Sequence, residues 1–365
     1  GKGSYLFEKS GEKYLDFGTG IAVNSLGYSH PYLNQKLNEQ SEKLWHLSNV
    51  YQIPEQELLA SRLCDLCFAD YAFFCNSGTE AVEASIKIAR RFFHKTKNSK
   101  TKNEIISFSG SFHGRTIGAL AAQGPAKMNS FNTNVNDFKF LEFGDHELLK
   151  SSISENTAAV LIEPVQGEGG VREVPTFCLD AIRKLCDEND ALLIFDEVQC
   201  GMGRTGKMFA YQWSNIEPDI MTIAKAIGNG FPIGACLTSK KVGDAMDFGS
   251  HGSTFGGNPL ACSVGNAVLD LMTSPSFFNE VIAVSRRLLS DLNKVADDYP
   301  DIIEGIRGKG FILGLKCKVN NEDFVKQARK NHILTVKASD NVVTVSYTHL
   351  RAHETGRNLV CRLLL

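Results

Sequence analysis

The chain has no run of roughly 18 uncharged apolar residues, the length a membrane-spanning helix needs, so no crossing of a bilayer is expected. It has no excess of either charge: 39 Lys and Arg stand against 41 Asp and Glu, a formal net charge of −2. The stretch from Lys95 to Lys102 is the longest basic block and reads as a solvated loop, so neither nucleic acid nor an anionic membrane surface is an implied partner. The ten cysteines are scattered, mostly in apolar segments such as those holding Cys75, Cys186 and Cys200, which argues against a disulfide framework and suits a reducing compartment. One C-x-x-C, Cys64 to Cys67, has no second pair or His pair nearby, and apolar residues recur around it at helical spacing from Leu58 to Phe68. It reads as helix packing rather than half a zinc site, and no metal is expected. The start, Gly1-Lys2-Gly3-Ser4, carries no apolar signal stretch, and no internal repeat is visible. What is left is a soluble globular chain of 365 residues, 43% apolar, enough for about two domains.

Its middle alternates short apolar runs with helical segments. The runs are Ala72 to Cys75, Ile105 to Phe108, Ala158 to Ile162, Leu192 to Phe195 and Ile220 to Ile223. Strand and helix in this rhythm predict an α/β fold with a large, mostly parallel sheet covered by helices on both faces. From about Asn266 the pattern changes to a long helix, Phe277 to Val295, then Gly308-Lys309-Gly310 and a short strand from Phe311 to Lys316. With the N-terminal strands between Tyr5 and Phe17, these segments predict a smaller α+β domain made from both chain ends.

Ligands of open parallel sheets collect beyond the carboxyl ends of the strands. The residues found there are Ser77-Gly78-Thr79, then Phe112-His113-Gly114-Arg115, Glu163, Asp196-Glu197 and Lys225. Ser77 to Glu80 has the S-x-x-E form of a capping box and opens an amphipathic helix with Val82, Ile86, Ala89 and Phe93 on one side. Free amides and the positive dipole end there suit an anion, although a plain helix cap has the same appearance. Lys225, between an apolar strand and the glycine-rich Gly228 to Gly234, is either a snorkelling surface residue or a semi-buried amine of lowered pKa able to form a Schiff base. Asp196 could cap a helix, bind a metal or hold a protonated pyridinium nitrogen. Gly201 to Gly206 matches G-x-G-x-x-G but opens no long helix, which speaks against a dinucleotide site.

Taken together and in order, Ser77-Gly78-Thr79, Phe112 to Arg115, Glu163 to Gly170, Asp196 to Gln199, Gly203 to Gly206, Lys225 and Gly252 to Asn258 closely resemble the class III, fold-type I aminotransferases from about Gly3 to Val343. The resemblance implies pyridoxal 5'-phosphate as cofactor, with Lys225 as its Schiff-base lysine, Asp196 at the pyridine nitrogen, and Val198 and Gln199 beside the ring. Phe112 would stack on the ring, and His113 would be a structural hydrogen-bonding residue in the cofactor pocket. Ser77, Gly78 and Thr79 would hold the phosphate, completed by Thr254 from the other subunit of a homodimer. Arg115 would clamp a substrate carboxylate, Glu168 would be a gatekeeper that moves aside for 2-oxoglutarate, and Ser253 would lie beside the substrate. Residues 31–265 would then form the large cofactor-binding domain, and residues 1–30 with 266–345 the small one.

Within the class, Gly20 to Gly27 and Leu47 to Tyr51 are most similar to acetylornithine aminotransferases. The implied reaction moves the δ-amine of N-acetylornithine to 2-oxoglutarate, as in arginine biosynthesis; ornithine, succinylornithine, succinyldiaminopimelate and 4-aminobutyrate are the alternative donors. The expected compartment is the cytoplasm, or a mitochondrial matrix in a eukaryote. After Val343 the family continues with a carboxylate-binding arginine, whereas Thr344 stands here. From about Ser346 to Leu365 the sequence looks like adapter read-through joined to a truncated gene, fitting no helix or strand. A chain that keeps the cofactor pocket with impaired turnover is the non-enzymatic alternative.

Overall fold

A computed structural model describes residues 1–347. Its centre is a seven-stranded sheet in the order Tyr71–Cys75, Gly234–Thr238, Ile220–Ile223, Leu192–Asp196, Thr157–Ile162, Glu104–Phe108, Phe138–Leu141. Every pairing is parallel except those of Gly234–Thr238, which runs antiparallel to both its neighbours. The strand Thr157–Ile162 shows why the sheet must be covered twice. All six of its residues are buried, so no face is left for water.

The helix Gly78–Lys97 covers one face with Val82, Ile86, Ala89 and Phe93, and its polar side faces out. It stops at Asn98, whose φ of 48° is the left-handed conformation common at helix ends. The helices Pro54–Asp65 and Pro259–Met272 pack below, where Leu59, Leu63, Ala261, Val264 and Val268 join the core of the other face. Cys64 belongs to the first of these helices and Cys67 follows its last turn, donating its thiol to the Leu63 carbonyl.

A separate apolar cluster joins the two ends of the described chain: Leu15 and Phe17 meet Val281, Leu288 and Leu292 of the helix Phe277–Asp298 and the strands Ile303–Lys309, Ile312–Cys317 and Val342–Ser346. Ser346, placed above at the start of a tail without structure, pairs with Ile312 and closes that sheet. Tyr347 is buried against Phe17 and Phe311, so the ordered packing reaches two residues past 345. Residues 348–365, the rest of the proposed tail, lie outside the described residues.

Between the cluster and the main sheet sits Arg204, fully buried. Its guanidinium donates to the Tyr347 carbonyl at 2.5 Å and to Thr19 Oγ1 at 3.4 Å, and its own carbonyl accepts from Phe311 N at 2.8 Å. Burial without a carboxylate partner pushes the guanidinium down to about 9.

Candidate active site

Five strands of the sheet end in the polar residues read from the sequence. The carboxyl edge opens into a cavity of about 460 Å³, a volume suited to a small cofactor. Ser77, Gly78, Thr79, Phe112, His113, Arg115, Asp196, Val198 and Lys225 all line it.

Asp196 forms the floor. It is 2% exposed, and its carboxylate accepts from Val198 N at 3.0 Å and Thr222 Oγ1 at 3.1 Å and bonds His113 Nδ1 at 2.7 Å. Three partners hold this acid in one orientation, which a charge facing a ring nitrogen needs.

Lys225 follows the apolar strand Ile220–Ile223 and has φ of +50°. A left-handed lysine costs on the order of 1 kcal/mol, and such backbone gathers at working sites. Burial lowers its amine, while the charges of Asp196, Glu163 and Glu168 oppose that shift. The result is an amine readier to be neutral and nucleophilic than a surface lysine.

At the opposite wall the helix Gly78–Lys97 begins. Ser77 Oγ accepts from Glu80 N at 3.3 Å, as an N-cap should, but the Glu80 carboxylate takes Asn76 N at 2.8 Å and not the amide of Ser77 itself. The first amides of this 20-residue helix have no intrahelical acceptor and face an anion well. A Cβ at Gly78 would come within 2.7 Å of Val198 Cγ1, so only glycine lets the backbone lie this close to the cavity wall.

Four expected site residues do not line this cavity. Gln199 leans over Gly167, where a Cβ would meet its Oε1 at 2.1 Å. Glu168 lies in a separate polar hollow with Lys337, Ser339 and Asn341, and its carbonyl accepts from Ser339 N. Thr344, where the resemblance expects an arginine, donates its hydroxyl to the Val336 carbonyl. Ser253 touches the cavity only through Asn76, whose Nδ2 donates to its Oγ at 3.3 Å, and Thr254 lines a surface hollow with His46, Asn49, Val50 and Phe248.

Sequence reasoning left Thr222 and Glu163 without a role. Thr222 is a hydroxyl inside an otherwise apolar strand, and Glu163 ends the all-buried strand Thr157–Ile162 just as Asp196 ends Leu192–Asp196. A polar group at such a place was the available signal.

A family model for class-III aminotransferases matches residues 1–359. The chain belongs to the class-III aminotransferases. It is 51% identical over 344 residues to the acetylornithine aminotransferase of Mesorhizobium japonicum, covering 94% of this chain and 86% of that protein. Against the acetylornithine aminotransferase of Methanocaldococcus jannaschii it is 43% identical, with the same coverage. Among solved structures, ornithine aminotransferase from Toxoplasma gondii superimposes with a TM-score of 0.94 at 28% identity, covering 100% of this chain and 88% of that one. N-acetylornithine aminotransferase from Stenotrophomonas maltophilia gives 0.87 at 33%, covering 100% and 93%.

The aminotransferase is an α/β protein of fold type I, and enzymes of its class depend on pyridoxal 5'-phosphate. The cavity fits that group. An amine, a carboxylate and a helix N-terminus surround it, and His113 Nε2, on its lining, is buried with no hydrogen-bond partner in the protein. No helix of the described residues is long and apolar enough to cross a membrane.

Proposed function

We propose that this aminotransferase moves the δ-amine of N-acetylornithine to 2-oxoglutarate, giving N-acetylglutamate semialdehyde and glutamate in arginine biosynthesis. The observation that carries the reading is the 43–51% identity to acetylornithine aminotransferases across 94% of the chain in both a bacterium and an archaeon. The small side chain of Val23 on the cavity wall agrees with an acylated donor.

The bound cofactor supplies an aldehyde that condenses with amines and a ring that draws electrons from the neighbouring carbon. In the proposed roles Asp196 keeps the proton on the ring nitrogen, fixed by His113, Val198 and Thr222. Lys225 Nζ, its pKa lowered, carries the proton away from the substrate carbon that bears the amine and returns it on the far side of the exchange. Phe112 stacks on the ring, Ser77, Gly78 and Thr79 hold the phosphate, and Arg115, exposed at the mouth, takes a substrate carboxylate. Glu168, near enough to act on Lys225, is the gatekeeper that moves aside for 2-oxoglutarate. With Thr344 in place of the arginine, 2-oxoglutarate is held weakly.

The proposed assembly is a homodimer in which Thr254 completes the phosphate site of the other subunit, while Gln199 serves the cofactor ring of its own. Val50 and Phe248, which is 96% exposed, line the hollow that holds Ser253 and Thr254, and Phe255 packs on His46 beside it. Sedimentation should give about twice 40.1 kDa, and a monomer at micromolar concentration refutes the dimer. We place the reaction in the cytoplasm, which suits the nine free cysteines among the described residues.

The similarity to ornithine aminotransferases favours ornithine as the second candidate donor. A panel of ω-amino donors with 2-oxoglutarate separates the two. Acetylornithine should exceed ornithine in kcat/KM by about tenfold or more, as a pocket built for the acyl group requires; equal values, or a preference for ornithine, reject the assignment.

A further inference from the structure

Two acids end neighbouring parallel strands. Ile162 and Phe195 are paired in register, so Glu163 and Asp196, the next residues, stand side by side at the sheet's carboxyl edge. Both are buried, at 3% and 2% exposure. They grip consecutive residues of one loop: Glu163 Oε2 accepts from Phe112 N at 3.0 Å, and Asp196 Oδ2 bonds His113 Nδ1 at 2.7 Å. The loop has no regular structure of its own to set the Phe112 ring over the cavity.

We propose that Glu163 is a positioning residue of this aminotransferase, fixing the backbone at Phe112 so that the aromatic face meets the cofactor ring at the height set by Asp196. The proposal rests on the reading of the cavity as the pyridoxal phosphate site. Glu163 acts through Phe112 and touches neither cofactor nor substrate.

The charge distribution agrees with this division of labour. Burial drives the Glu163 carboxyl well above the usual carboxylate range, and the neighbouring Asp196 drives it further; the Phe112 amide and Lys225 pull the other way, and Glu168 adds to the rise. Burial and the adjacent acid both favour the neutral form of Glu163, which has one hydrogen-bond partner where Asp196 has three. A protonated Glu163 still offers its carbonyl oxygen to Phe112 N.

That separates two substitutions of similar volume. Glu163→Gln is neutral and keeps an acceptor, whereas Glu163→Met fills the space and offers none. In the cofactor-loaded protein, Gln should leave the visible circular dichroism of the cofactor band unchanged and kcat within about threefold of wild type. Met should weaken that dichroism and lower kcat by about tenfold or more, because the ring face is displaced.

A Met variant with wild-type dichroism and kcat overturns the proposal, as does a Gln variant that falls as far as Met. Should Met fail to fold, hydrogen exchange in the wild-type protein decides: the peptide carrying Phe112 should be protected, and exchange at the rate of an open loop contradicts the bond. Absence of any cofactor band in the wild type is a distinct result, which removes the cofactor reading itself.

Discussion

Glu197 shows how far a single buried side chain can be pushed. It is 1% exposed, and burial drives its carboxyl up to about 8, although the amides of Tyr211 and Ala210 donate to it at 2.7 and 2.6 Å. Because the folded value exceeds the unfolded one, near 4.5, the native state binds more protons than the unfolded state between the two. Stability therefore falls as pH rises from about 4.5 to about 8, on the order of a few kcal/mol. Glu197→Gln removes that titration. Its melting temperature should lose less than the wild type's between about pH 5 and about pH 8; Glu163, shifted in the same direction, keeps part of the fall, and His30 and His251, lowered by burial, act against it. Parallel slopes in thermal scans would show that Glu197 is already ionised in the fold. Residue type at strand ends made Lys225 and Asp196 candidates, the family resemblance supplied their roles and that of Arg115, and the structure brings all three to one cavity. Glu163 had the same position and was passed over, because a lone acid before a proline looks like any strand end until its amide partner is known.

The elements legible in the sequence were those whose burial is uniform. Runs such as Ala158 to Ile162 and Leu192 to Phe195 are strands because water reaches neither face, and that leaves a continuous apolar signature. Gly234–Thr238 left none. Gly234 and Ala235 continue a glycine-rich turn in sequence, yet the strand lies inside the sheet, where Ser77 and Cys75 crowd the glycine: a Cβ at Gly234 would meet the Ser77 carbonyl oxygen at 2.6 Å. Ile303–Lys309 was hidden for another reason. It is half exposed, carries Glu304, Arg307 and two glycines, and is held mainly by its backbone pairing with Ile312–Cys317. The Ser77 cap was legible, but the turn of Glu80 toward Asn76 was not, since two amides one residue apart compete for the same carboxylate.

At the scale of the whole molecule the cavity lies where the strand edge, the loop at Phe112 and the start of the helix Gly78–Lys97 converge, and the buried Arg204 ties Thr19 to Tyr347. Gln199, Glu168, Ser253 and Thr254 were drawn into the site by family resemblance, and none of them lines the cavity; in the proposed homodimer Thr254 would serve the partner's site. Neither composition nor periodicity carries such information, because a partner's contribution leaves no pattern in its own strand. The covalent role of Lys225 is open to one direct measurement: borohydride reduction of the cofactor-loaded protein, digestion and mass mapping of the peptides. The expected result is a pyridoxyl mass on the peptide containing Lys225 and on no other; the label on a different lysine, or on none in a protein that retains the cofactor, would contradict the assignment.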